Sequence, residues 1–164
     1  MTDNQINDRS NLASSVSGVL VIDKPVGMTS HDVVQQVRAG THIRRAGHTG
    51  TLDPRASGVL VVLIGPAVRL SEYVSTSDKR YQAVLRFGIT TSTYDTEGEI
   101  TSRAPVDISY EELEETLNTF VGEFEQTPPI YSAIKVNGRK AYDYARDGET
   151  VDLEPRMITV HSIE

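Results

Sequence analysis

The segment Ala46-Gly47-His48-Thr49-Gly50-Thr51-Leu52-Asp53-Pro54-Arg55-Ala56-Ser57-Gly58-Val59-Leu60 places a single carboxylate in a loop that runs directly into an apolar strand. Gly47, Gly50 and Gly58 allow close backbone approach to a ligand, Pro54 stiffens the turn, and the continuous apolar run Val59 to Ile64 anchors it. Binding and catalytic residues concentrate on loops held by such scaffolds. An Asp-Pro pair taken alone does no more than begin a turn. The glycines and threonines around Asp53 are what raise it to a candidate reagent.

Outward from this loop, Gly18 to Ile22 predicts a buried strand, Asp23 to Met28 a turn, and Thr29 or Ser30 the cap of a short helix. That helix carries Val33, Val34 and Val37 on one face and ends at Gly40. Downstream, a short helix is expected near Ala67 to Val74, then a strand from Arg80 to Gly88 with Tyr81, Ala83, Leu85 and Phe87 on one side. Thr90 to Glu99 reads as a loop. Ser109 and Glu112 form a capping box for a helix expected to bury Tyr110, Leu113, Leu117, Phe120 and Val121. Asn137-Gly138 marks a hairpin, Ala141 to Asp147 a helix, and Met157 to Ile163 a last strand. The irregular order predicts an α+β fold, a mixed and largely antiparallel sheet flanked by short helices.

Residues 1–17 lack periodicity and read as a disordered tail, leaving 18–164 as one domain. The chain is expected to stop in mid-strand, as a fragment or shortened form does. No apolar run approaches the ~20 residues that span a bilayer, and the N-terminus lacks the basic and apolar start of a signal peptide. With no cysteine there is no disulfide framework, thiolate metal site or cysteine nucleophile. A soluble, cytoplasmic, monomeric protein without membrane or obligatory protein partner is expected.

The net charge of -7 is unevenly spread. Residues 1–90 hold 10 Lys and Arg against 7 Asp and Glu, net +3, whereas residues 91–164 hold 6 against 16, net -10. A phosphate-binding surface needs local positive charge, and only the half that carries Asp53 can supply it.

Four separated blocks, Asp23-Lys24-Pro25-x-Gly27-Met28-Thr29-Ser30, Gly47 to Pro54, Lys79-Arg80-Tyr81 and Pro128-Pro129-x-Tyr131-Ser132-Ala133-x-Lys135, resemble the bacterial tRNA pseudouridine synthase B (TruB) family in order and spacing. Thr91-x-Thr93-x-Asp95 agrees too. The resemblance implies a pseudouridine synthase fold and isomerisation of one T-loop uridine of tRNA to pseudouridine, without cofactor or metal. Asp53 would be the nucleophile, attacking C6 of the base or C1′ of the ribose. Tyr81 would lie against the flipped base, with a role considered in the proton step at C5. His48 would insert where bases leave the loop, with Thr49 and Gly50 beside it on the RNA. Lys24 and Pro25 would brace the catalytic loop. Arg44, Arg45, Lys79 and Arg80 are candidate phosphate contacts because they flank His48 and Tyr81. Asp53 and Tyr81 are expected to share one pocket. The sequence departs from the family at its C-terminus, where relatives carry a basic motif whose arginine pairs with the aspartate, so a catalytically impaired RNA-binding fragment is the alternative. Two weaker readings are a hydrolase metal site from His42, His48 and Asp53, and a phosphate loop at Lys24-Pro25-x-Gly27.

Overall fold

The computed structural model describes residues 16–132 and 134–164, and the expected tail lies almost wholly outside them. The chain divides into two compact units, Met1–Gln82 and Ala83–Glu164.

In the first unit, β1 (Gly18–Lys24), β2 (Ala46–His48) and β3 (Gly58–Ile64) form an antiparallel sheet in the order β1-β3-β2. The apolar run expected at Val59 to Ile64 is its central strand. Pairing sets Leu20 opposite Val62, Ile22 opposite Leu60, and Lys24 opposite Gly58, so these residues share one face. Helix α1 (Ser30–Thr41) covers that face with Val33 and Val34, and Ile43, Ala46 and Ile64 complete the cluster. Burial of each such side chain contributes about 1.5–3 kcal/mol. On the other face Val19, Val21 and Val59 are exposed while Leu63 is buried.

Thr29 caps α1 through a reciprocal box with Asp32. The Asp32 carboxylate accepts from the Thr29 amide at 2.9 Å and the Thr29 hydroxyl at 2.7 Å. These bonds hold the Asp32 carboxyl below its usual range, the side-chain bond first. The helix does not end at Gly40. It runs through Thr41, and His42 takes the left-handed φ of 59° that closes it, a conformation open to a polar side chain as well as to glycine. A single 3₁₀ segment (Gly65–Leu70) and α2 (Ser71–Ser75) occupy the position of the helix expected near Ala67 to Val74.

The expected strand from Arg80 to Gly88 is absent: residues 78–86 form neither helix nor strand. The alternation is real, but no ladder partner stands beside it among the described residues, and Val84 is 98% exposed. A period of two marks a segment that fits a sheet; it does not provide the neighbour.

The second unit holds three two-stranded antiparallel sheets. β4 (Ile89–Thr91) pairs with β5 (Ile100–Arg103), so the expected loop at Thr90 to Glu99 is flanked by a short hairpin. Helix α3 (Tyr110–Asn118) starts at the expected Ser109–Glu112 box but buries no residue, and Tyr110 is 73% exposed. Its apolar stripe therefore has no core among the described residues of its unit. β6 (Gly122–Gln126) pairs with β9 (Arg156–Val160). Strand β9 ends at Val160, short of the expected Ile163, and residues 161–164 form neither helix nor strand. β7 (Lys135–Val136) and β8 (Arg139–Lys140) form the expected hairpin, with Asn137 at φ 52° and Gly138 at φ 83°, the positive pair of a type I′ turn. Helix α4 (Ala141–Arg146) comes directly after β8. Arg139 ties the hairpin to α4 and to the turn beyond it, reaching the Asp143 carbonyl at 2.8 Å, Asp147, Glu149 at 3.2 Å, and the Tyr144 ring at 4.3 Å.

All the strand pairing is antiparallel, as the α+β reading expects, though it is spread over four sheets. Among the described residues no helix is long and apolar enough to cross a membrane.

Candidate active site

The loop between β2 and β3 carries Asp53, and its position is fixed by backbone bonds to the segment after β1. Thr49 N–H donates to the Val61 carbonyl at 3.1 Å, so the loop leaves the sheet in register. Leu52 packs against the core cluster. Ala56 N–H reaches back to the Asp53 carbonyl at 3.0 Å, closing a turn with Pro54 at its second position. Gly27 N–H donates to the Pro54 carbonyl at 2.7 Å. The Asp53 side chain is exposed.

Lys24 is 0% exposed, and its Nζ donates to the carbonyls of Pro25 at 2.9 Å and Met28 at 2.7 Å. It thus closes the turn that presents Gly27 to Pro54. Both carbonyls belong to a turn that lacks ladder partners, so the amine takes the place of missing backbone donors. No phosphate loop forms here, since the Lys24 amine points into its own turn and is occupied.

A cavity of about 800 Å³ opens beside the loop, within the range of small-ligand sites. Val59 and Val61, on the sheet face turned away from α1, contribute to its wall. Thr49 and Gly50 line it, as do Lys79, Arg80 and Tyr81. Arg55 lines it as well, a cation in the Asp53 turn that sequence reasoning leaves out of the site although it stands two residues from Asp53.

One expectation is corrected. Asp53 and Tyr81 do not share the cavity: residues on both sides of the Asp53-Pro54 pair line it, but the pair does not, because the turn carries the carboxylate outward to solvent. Tyr81 is itself 72% exposed, consistent with the missing strand. His48 pairs with Val62, on the face that α1 covers, and does not line the cavity. Its Nδ1 is buried without a hydrogen-bond partner.

Arg44 and Arg45 are exposed at the entry to β2, outside the cavity lining. Lys79 donates to the carbonyls of Ser75, at 2.9 Å, and Ser77. One of the three ammonium donors is left for a phosphate. Among the described residues no three His, Asp or Glu side chains converge, so His42, His48 and Asp53 do not form the ligand set of a hydrolase.

The fold is shared with known proteins. It overlays a chain from the crystal structure of a Cbf5-Nop10-Gar1 complex with a TM-score of 0.54 at 24% identity, over 91% of this chain and 35% of that one. Antiparallel sheets and short helices define an α+β domain. Residues 38–164 match the TruB family pseudouridylate synthase N-terminal domain, and the chain belongs to that family. It is 50% identical over 151 residues to the tRNA pseudouridine synthase B of Caldanaerobacter subterraneus subsp. tengcongensis, covering 92% of this chain and 53% of the relative. The protein of the same name from Dechloromonas aromatica is 48% identical over 149 residues, covering 91% and 50%. That of Geobacillus kaustophilus is 45% identical over 151 residues, covering 91% and 53%. The chain spans about half the length of these relatives.

Proposed function

We propose that the chain is the catalytic part of a cytoplasmic tRNA pseudouridine synthase that isomerises a T-loop uridine, with Asp53 as nucleophile. One observation carries the reading. A solvent-exposed carboxylate sits on a turn tied down at Pro54, between two runs of residues that line a cavity with room for a nucleoside. The names of the relatives support tRNA as substrate.

The carboxylate attacks C6 of the uracil or C1′ of the ribose, and the covalent adduct allows the N-glycosidic bond to open, the base to turn, and C5 to bond to C1′. Asp53 is displaced from C1′ as C5 bonds to that carbon, or is eliminated from C6 afterwards, and the proton lost from C5 is balanced by one taken up at N1. The target is first extruded from the T-arm, at a cost of a few kcal/mol that stacking and phosphate contacts offset. Val59 and Val61 present an apolar wall to the base. Tyr81 supplies the stacking ring and a hydroxyl for the proton step. Because Tyr81 lies in a segment without ladder bonds, turning it toward Asp53 when RNA binds breaks no sheet pairing. His48, outside the cavity lining, fills the gap that the flipped nucleotide leaves. Arg55, Lys79 and Arg80 form the positive rim, and Arg44 and Arg45 extend it along the backbone. Lys24 and Pro25 brace the loop. The reaction needs no cofactor, metal or protein partner.

A second reading, an RNA-binding module without turnover, is favoured by the position of Asp53 outside the cavity that Tyr81 lines. A T-arm transcript tritiated at C5 of uridine separates the two. Tritium release supports the enzyme, and retention with measurable binding supports the module.

A further inference from the structure

Ser30 is the first residue of α1, but the cap of that helix is Thr29. The Ser30 hydroxyl is used elsewhere. It accepts a hydrogen bond from the Leu52 amide at 2.9 Å and donates one to the Leu52 carbonyl at 3.0 Å, and the residue is 3% exposed. A single hydroxyl thus satisfies both backbone groups of the residue before Asp53, in a loop with no strand to pair with. The residue after Asp53 is held from the same segment, through Gly27 N–H and the Pro54 carbonyl. Fixed groups therefore stand on both sides of the Asp53 backbone, and they set the direction of its Cα–Cβ bond. Only the side-chain torsions remain free.

We infer that Ser30 is a positioning residue for the Asp53 carboxylate, acting through Leu52 and touching no substrate. The inference rests on the reading of Asp53 as the reacting group. Nothing in the helix itself calls for a hydroxyl here, since alanine serves equally well in a first turn. The Leu52 side chain keeps the loop docked on the core when the hydroxyl is lost. The expected consequence is a displaced carboxylate on an intact fold, and displacement by ~1 Å costs about 100-fold in rate.

The test uses Ser30→Ala and Ser30→Thr in the full chain. Amide exchange is followed at Leu52 and across β3 by NMR, and kcat and KM are measured on the T-arm transcript. Ser30→Ala is expected to speed exchange at Leu52 by roughly tenfold with β3 amides unchanged. It should lower kcat by about 10–100-fold with KM within about twofold. Ser30→Thr, which keeps the hydroxyl, should restore both. The inference is overturned if Leu52 exchange is unaltered in Ser30→Ala, or if kcat stays within about twofold of the parent while Leu52 loosens. A folded Ser30→Thr no better than Ser30→Ala overturns it too. A parent chain that turns over no uridine overturns the enzymatic reading and this inference with it, whereas an active parent whose Ser30→Ala variant keeps kcat overturns this inference alone.

Discussion

The Gly27 amide donates a 2.7 Å hydrogen bond to the Pro54 carbonyl and so joins the turn after β1 to the turn that carries Asp53. Gly27 has φ 90°, and an added Cβ meets no atom within 4 Å. The cost of a side chain there is conformational and not steric. Gly27→Ala should destabilise the protein by about 1–3 kcal/mol, read as a lower midpoint in urea denaturation. An unshifted midpoint contradicts the account of this turn.

Lys24→Met removes a buried amine whose two acceptors, Pro25 and Met28, have no substitute donor at that position. A loss of about 2–3 kcal/mol is expected, with the affinity of the remaining folded protein for RNA unchanged. Denaturation and RNA titration of the same sample distinguish this bracing role from RNA contact. A stable variant with weakened binding would assign Lys24 to the interface instead.

Caps, turns and the central strand are legible in the sequence because the physics behind them is local. The Thr29 and Ser109 caps, the Asn137-Gly138 turn and the strand through Val62 each depend on residues close in sequence. The expected strand at Tyr81 to Phe87 does not form because a ladder needs a neighbour that the segment does not itself specify. The site is legible as a loop with a carboxylate, since Asp53, Thr49 and Gly50 lie together. Its support is not. Ser30 and Leu52 are 22 residues apart, and a serine next to a helix cap carries no mark of such a bond. The sheet face that His48 occupies is set by its register with β3, opposite Val62.

Acid should weaken the start of α1. Asp32 has its carboxyl held below the ordinary value by the Thr29 bonds, so its contribution is full above that ordinary value and is lost as pH falls through the lower folded one. Asp32→Asn should therefore melt below the parent at pH ~7, and the two melting curves should converge at pH ~2. A difference that persists in acid contradicts the assignment.

Tyr81→Ala should weaken T-arm binding by about 1–3 kcal/mol, the value of one aromatic stack, and Tyr81→Phe should leave binding unchanged. The Phe variant then isolates the hydroxyl: a reduced rate at full binding supports its part in the proton step. Equal rates for Tyr81→Phe and the parent remove that part and leave only the stack.

The most direct measurement compares Asp53→Asn with the parent chain on a T-arm transcript tritiated at C5, recording tritium release and RNA affinity together. A nucleophilic carboxylate predicts that the amide variant releases no tritium while its Kd stays within about threefold of the parent. Release from Asp53→Asn at the parent rate would show that another group attacks the nucleoside.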